Sequence, residues 1–297
     1  MQSTRAMFSL MATMCIIASP ALSQDVGKDQ YFDSNGVRIR YVEQGEGIPV
    51  ILLHGFLASV EINWRMTRVM PALAKDFRVI AMDHRAHGKS QGPHDPDQYG
   101  SEMVEDVVRL MDHLKLPRAH VIGYSMGSVI TQELIENHPD RLLSATLGGF
   151  GWVDKSGLNF ADELAKSVEE GRGFGPIIRF LTPTDETPLS EEQMLRQSQV
   201  RLMGTDAQAV VACIRGFKEF SVPEKVFRET KVPLQLVVGD KDPLLQSALE
   251  IKRVRPEVRL VEIKDSNHRS TVLRPEFINA LKEFLASNSL YDKVTAP

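Results

Sequence analysis

A serine with glycines two residues away on either side, Gly123-Tyr124-Ser125-Met126-Gly127, is the stretch of this 297-residue chain best suited to nucleophilic chemistry. The run before it, Ala119-His120-Val121-Ile122, is short, apolar and β-branched, and residues 128–135 after it space apolar side chains as a helix does. A strand, a tight turn and a helix therefore meet at Ser125. Glycines at both ends of such a turn allow a sharp reversal and close helix–strand contact, which lifts the hydroxyl out of the sheet. The first N–H groups of the new helix have no intrahelical partner and point where an oxyanion would form.

A serine hydroxyl is a weak nucleophile at neutral pH, so it needs a base for its proton and a third group to orient and charge-balance that base. Two loops supply candidates. Gly239-Asp240-Lys241-Asp242-Pro243 follows the apolar run 233–238, and Asp265-Ser266-Asn267-His268-Arg269 follows the run 258–263. Loops at the carboxyl ends of parallel strands share one edge of a sheet, so Ser125, an aspartate of the first loop and His268 can converge there. Asp265, three residues before His268 on the same loop, is badly placed to orient the ring and reads as a surface carboxylate.

The elements that must position these loops alternate between β-rich and helical patterns. Residues 30–32 and 37–42 flank the turn Ser34-Asn35-Gly36 and predict an opening antiparallel hairpin. Residues 49–53, 78–82 and 118–122 are continuous apolar runs of the kind buried in a parallel sheet. Helical periodicity covers 64–74 and 101–114, the second with Ser101 as a plain N-cap. From 151 to 223 there is no strand pattern, only amphipathic segments at 161–170, 176–181, 191–203 and 207–220 separated by proline and glycine. Ser190 with Gln193 makes a capping box for the third, and Asp206 caps the fourth. Alternation resumes with a strand at 233–238, a helix from about Leu244, a strand at 258–263 and a last helix at 275–286, before a loose tail at 291–297. The expected fold class is α/β, with residues 24–150 and 224–297 as the core and 151–223 as a helical insertion.

These motifs together resemble the α/β-hydrolase family over nearly all of the chain after its N-terminal segment, and the order Ser, acid, His is that of the family. The resemblance implies a mostly parallel eight-stranded sheet with helices on both faces, the insertion serving as a cap. In such a Gly-Asp-x-Asp turn the acid is usually the second aspartate, so the catalytic set is Ser125, Asp242 and His268, with Asp240 structural. Leu53-His54-Gly55-Phe56 resembles the family's His-Gly-x-x loop, which implies that the backbone N–H groups of Phe56 and Met126 form the oxyanion hole and that His54 packs within the loop. The segment from Asp83 to Ser90 resembles D-x-R-G-x-G-x-S with Ala86 where glycine is usual, so the local turn there is free to differ. Phe150 and Trp152 either line the substrate pocket or anchor a hinge by aromatic packing. The insertion's apolar faces carry Phe174, Phe180, Met194, Met203, Phe217 and Phe220; any that face Ser125 favour an apolar acyl or alcohol moiety.

The expected function is that of a serine hydrolase acting on a small to medium carboxylic ester through an acyl-enzyme, with no cofactor. Lactonase, C–C bond hydrolase, aminopeptidase and perhydrolase activities use the same three residues, and a slow-turnover ligand-binding module of the same fold is the alternative from a different class. Dehalogenases and epoxide hydrolases of the fold use aspartate at the elbow, which disfavours both here. His84, His87 and His94 lie near one another without a plausible ligand set, so no metal is expected, and His120 reads as a core residue.

At the N-terminus, Arg5, the apolar stretch 7–17 and Ala21-Leu22-Ser23 make a secretory signal over residues 1–23, cleaved after Ser23, and so a secreted or periplasmic chain. No later stretch approaches the roughly 20 apolar residues of a membrane span, so no stable membrane insertion is expected after cleavage. A net charge of −4, without basic clusters interleaved with aromatics, argues against a nucleic-acid partner. Of the two cysteines, Cys15 falls in the signal, and Cys213 shares a helical face with Val210 and Phe217 as a buried, inert thiol.

Overall fold

Eight strands form one sheet in the computed structural model, which describes residues 27–152 and 160–289. They are β1 (Gln30–Ser34), β2 (Val37–Gln44), β3 (Pro49–Leu53), β4 (Arg78–Met82), β5 (Ala119–Tyr124), β6 (Leu142–Gly148), β7 (Leu234–Gly239) and β8 (Arg259–Ile263). Their order is β1-β2-β4-β3-β5-β6-β7-β8; β1 pairs antiparallel with β2 and β2 with β4, and every later pair is parallel. The opening hairpin turns on Asn35 and Gly36, both with positive φ (55° and 84°), the conformation a two-residue primed turn demands. Register then levels the carboxyl ends. Leu53 lies opposite Gly123, Tyr124 opposite Gly148, Gly148 opposite Val237, and Gly239 opposite Ile263. The loops that leave β3, β5, β7 and β8 therefore open on the same edge.

Alternate residues of the strands feed two separate cores, as a period of two requires. Ile51, Leu53 and Val121 pack on one face with α2 (Ser101–His113) and α3 (Met126–Asn137). Val50, Leu52 and Ile122 pack on the other with α1 (Val69–Leu73) and with the last helix, at 275–289. Fully burying each of these aliphatic side chains is worth roughly 1.5–3 kcal/mol, which ties both helix layers to the sheet.

Between β6 and β7 the chain makes a long helical excursion: α4 (Ala161–Glu169), α5 (Gly175–Phe180), α6 (Glu191–Leu202), α7 (Ala207–Gly216) and α8 (Glu224–Glu229). After β7 come α9 (Leu245–Val254) and α10 (Pro275–Ser289). The capping box of Ser190 and Gln193 is formed, and the Asp206 carboxylate accepts from the N–H groups of Gln208 and Ala209. The short α8 is an element that periodicity did not reveal. Among the described residues no helix is long and apolar enough to cross a membrane. The expected signal (1–23), the tail (291–297) and residues 153–159 of the insertion lie outside the described residues.

Two local expectations change. The helix anticipated over 64–74 is broken, because Arg68 takes φ 64° and separates a single wide turn at 61–65 from α1. Ser101 is the first residue of α2 rather than its cap. The position before it, Gly100, has φ 57°, and the Glu219 carboxylate from the excursion accepts from the Ser101 N–H and Oγ. A distant acid thus does the work expected of a local hydroxyl.

Candidate active site

Ser125 stands between β5 and α3 with φ 55° and ψ −116°, a region an L-residue occupies only at a cost of about 1–3 kcal/mol. Hydrogen bonds hold the strain in place: Ser125 N–H donates to the Gly148 carbonyl at 2.8 Å, and Ser128 N–H donates to the Ser125 carbonyl at 2.8 Å. The glycines are required by contact. A Cβ on Gly123 would sit 2.0 Å from the Gly127 carbonyl oxygen, and one on Gly127 would sit 2.0 Å from the carbonyl oxygen of Leu53. No side chain fits at either position.

The loop after β8 brings His268 to this turn. Its Nε2 lies 2.9 Å from Ser125 Oγ and its Nδ1 2.9 Å from Asp242 Oδ2. A carboxylate oxygen only accepts, so Nδ1 carries the proton and the lone pair of Nε2 faces the serine hydroxyl. His268 and Asp242 are both buried, and the second oxygen of Asp242 accepts from Leu244 N–H at 2.9 Å, which fixes the carboxylate plane.

The neighbouring aspartates are differently engaged. Asp240 accepts from Ser266 N–H at 3.2 Å; against the cost of burial, backbone N–H groups of Ser266 and Asp265 hold its carboxyl below the usual range. Asp265 is exposed and pairs with Lys241 at 3.2 Å.

Tyr124 belongs to the same site, although nothing in the sequence beyond adjacency marks it. Its hydroxyl donates to the His268 carbonyl at 2.6 Å, and burial together with the Asp242 charge holds the phenol above its usual range, so it remains a donor.

The loop after β3 lies directly against the elbow, since a Cβ on Gly55 would be 3.1 Å from Ser125 Cβ. Gly55 N–H donates to Asn63 Oδ1 at 2.8 Å, a partner the motif alone did not reveal. Phe56 follows in this loop, and Met126 opens α3, where the first N–H groups have no intrahelical acceptor. His54 is fully buried behind the loop. Its Nε2 accepts from His84 N–H at 3.1 Å, so Nδ1 carries the proton and donates to the Gly55 carbonyl at 2.8 Å. Burial lowers its pKa, and with both nitrogens engaged it is not a second base.

Residues 83–90 tie the same edge from beneath. Asp83 accepts from Val60 N–H, Lys89 N–H and the Arg40 guanidinium, while Arg40, wholly buried, also meets Asp29 and Glu61. Arg85 forms a two-pronged pair with Asp106 at 2.8 and 2.6 Å. Ala86 takes φ 64°, so the turn keeps the left-handed conformation glycine would favour despite the methyl group. The rings of His84 and His87 stand 4.6 and 5.4 Å from that of His54. Both His84 ring nitrogens and His87 Nε2 lack a hydrogen-bond partner among the described residues; burial drives His84 well down and His87 to about 3.

Ser125 sits where two arms of a cavity meet. One is narrow, about 40 Å³, and lined by apolar side chains that include Met126, Val129, Phe150, Phe160 and Phe217. The other, about 320 Å³, reaches past His268, Tyr124 and Asn63 to Arg201 and Arg269. Phe56 lines both. Trp152 is elsewhere: its indole N–H donates to the Val222 carbonyl at 2.7 Å and its ring packs on Phe227, so it anchors the two ends of the excursion to each other. A larger open groove, about 1000 Å³, lies at the amino ends of β6 and β7 beside Leu142 and Pro233, away from the serine. His120 is a buried residue bonded to Ser144 and Ser289, and burial raises the Cys213 thiol. Among the described residues no group of three His, Cys, Asp or Glu side chains is placed to hold a metal ion.

Comparison with known proteins extends the geometry. The profile of a family described as alpha/beta hydrolase fold matches residues 48–275. The dihydrolipoyllysine-residue acetyltransferase component of the acetoin cleaving system of Pseudomonas putida is 35% identical over 257 residues, 84% of this chain and 67% of that protein. The 2-hydroxymuconate semialdehyde hydrolase of Pseudomonas sp. (strain CF600) is 33% identical over 137 residues, 46% of this chain and 47% of its own length. Among solved structures, the enol-lactonase from Burkholderia xenovorans LB400 superposes with a TM-score of 0.69 at 23% identity, over 86% of this chain and all of that one, a likeness of fold.

Proposed function

Because the chain belongs to the α/β-hydrolase fold family, we propose that it is a serine hydrolase that cleaves a carboxylic ester of small to medium size through an acyl-enzyme. The observation that carries this is the unbroken line of contacts from Asp242 Oδ2 through His268 to Ser125 Oγ, each 2.9 Å long. His268 Nε2 takes the hydroxyl proton as Oγ bonds to the ester carbonyl carbon, and the carbonyl oxygen becomes an oxyanion facing the N–H groups of Phe56 and Met126. Collapse breaks the bond to the alcohol oxygen, which leaves with the proton His268 held. Water then gives a proton to His268 and its oxygen to the acyl carbon; the serine leaves with that proton and the acid is released. Asp242 keeps its charge throughout and balances the imidazolium between the two proton transfers.

Phe150 and Phe56 would hold the apolar part of the substrate, and the helical excursion would act as a cap. We also propose that residues 1–23 are a cleaved signal and that the mature enzyme works outside the cytoplasm. Replacing Ser125 with alanine should lower hydrolysis of p-nitrophenyl acetate by about 10⁴-fold or more. An undiminished rate would overturn the mechanism. Stoichiometric acetylation of Ser125 without release would instead favour a slow-turnover binding module of the same fold.

A further inference from the structure

The two cavity arms differ in charge, and the difference selects a substrate. His268 lines the wider arm and is absent from the lining of the narrow one. The group that leaves must take its proton from His268, so, granted the ester reading above, the alcohol moiety lies in the wider arm and the acyl group in the narrow apolar one. The wider arm carries Arg201, from the last turn of α6, and Arg269, next to His268.

Other arginines of the excursion are neutralised: Arg179 pairs with Glu191, Arg196 with Glu192 and Arg215 with Glu169. Arg201 and Arg269 have no ion pair or side-chain hydrogen bond among the described residues. On the adjoining loops Asp265 pairs with Lys241, while Glu186 accepts from the neutral amide of Asn267 and keeps its charge. Partial desolvation at the mouth and the like charge of Arg269 both work against the Arg201 cation, pulling it below the ordinary guanidinium value. Two cations held near each other with no ion-pair partner among the described residues, in a chain of net charge −4, form a local anion site beside the leaving-group position.

We propose that the preferred substrates are esters of a short apolar acid whose alcohol portion carries an anionic group, such as a carboxylate, received by Arg201 and Arg269. A planar guanidinium suits a carboxylate because it offers paired N–H donors in a matching fork. An anion there approaches from the open mouth, so its charge also raises the rate of encounter at low ionic strength.

The test compares 4-acetoxybenzoate with 4-acetoxybenzamide, each rate normalised to hydroxide-catalysed hydrolysis of the same ester. The wild-type enzyme should favour the anion in kcat/KM by roughly tenfold or more, the size expected when a charge-assisted hydrogen bond is gained. In the double variant Arg201→Gln, Arg269→Gln that ratio should fall towards one, and Arg201→Lys, Arg269→Lys should restore part of it. A wild-type ratio near one, or a ratio the double glutamine variant leaves unchanged, overturns the proposal while leaving the ester reading intact. Calorimetric binding of 4-hydroxybenzoate and 4-hydroxybenzamide to the Ser125→Ala protein tests the arginine pair apart from turnover. The benzoate should bind roughly tenfold tighter, and equal affinity overturns the proposal whether or not any ester is hydrolysed.

Discussion

His268 and the trio His54, His84 and His87 occupy the same carboxyl edge of one sheet and differ in what their ring nitrogens meet. His268 has a dedicated carboxylate at 2.9 Å on one nitrogen and a hydroxyl at 2.9 Å on the other, so a proton arriving on its ring finds a counter-charge waiting. His54 also has a carboxylate nearby, at 3.9 Å, but Asp83 is already committed to Arg40 and to two backbone N–H groups. Among the described residues no carboxylate hydrogen-bonds the ring of His84 or His87, and burial pushes both pKa values down. Four imidazoles within one region thus divide into one that bridges a carboxylate and a hydroxyl and three that are buried scaffold. The teaching is that a histidine's role is decided by whether the acid beside it is spare.

The largest effect should come from removing that spare acid. Asp242→Asn, which keeps the shape and loses the charge, should lower kcat on p-nitrophenyl acetate by about 10²–10⁴-fold. Asp240→Asn, in the same turn, should change kcat by less than about threefold, because its carboxylate meets backbone N–H groups of Ser266 and Asp265 rather than His268. Equal losses in the two variants would dissolve the distinction between the two aspartates. Steady-state kinetics at pH 8 checks it.

A second effect probes the scaffold from the side of stability. The folded pKa of His87 is about 3, below the ordinary value near 6.5, so the unfolded chain binds a proton that the folded chain refuses. Its contribution is therefore complete above pH 6.5 and is lost progressively as the pH falls towards 3. Between pH 6.5 and 5 the loss from this one imidazole is about 1.6 kcal/mol. Urea unfolding at those two pH values should show a smaller fall in stability for His87→Gln than for the wild type. An identical fall would place the acid sensitivity elsewhere.

The smallest effect concerns the turn that carries the scaffold. Ala86 is held at φ 64°, where glycine has no steric cost, so Ala86→Gly should stabilise the protein by up to about 1 kcal/mol after the extra unfolded-state entropy is counted. A loss of stability on thermal denaturation would mean that packing of the methyl group outweighs the backbone strain.

Much of this was legible in the chain because it depends on neighbours in sequence. The elbow glycines, the Asn35-Gly36 turn, the capping box at Ser190 and the apolar strands are local patterns, and each formed as its residues require. Ser101 departs from its local pattern for the converse reason: its partner, Glu219, is 118 residues away. Tyr124, Asn63 and the pairing of Arg40 with three acids carry no local signal either, since each contact depends on a strand register or a loop approach. Phe150 and Trp152 could not be told apart in sequence; what divides them is that one faces the cavity while the other is held by the Val222 carbonyl.

By itself, then, the sequence determined that a serine, an acid and a histidine would gather at one sheet edge, because strand order and loop position follow from hydrophobic periodicity and from the turns that punctuate it. Only the tertiary structure decided which nitrogen meets which oxygen, which aspartate meets His268 and which arginines lack an ion pair among the described residues. Those outcomes rest on distances of about 3 Å between residues far apart in the chain, and a directional contact of that length is set by packing in three dimensions.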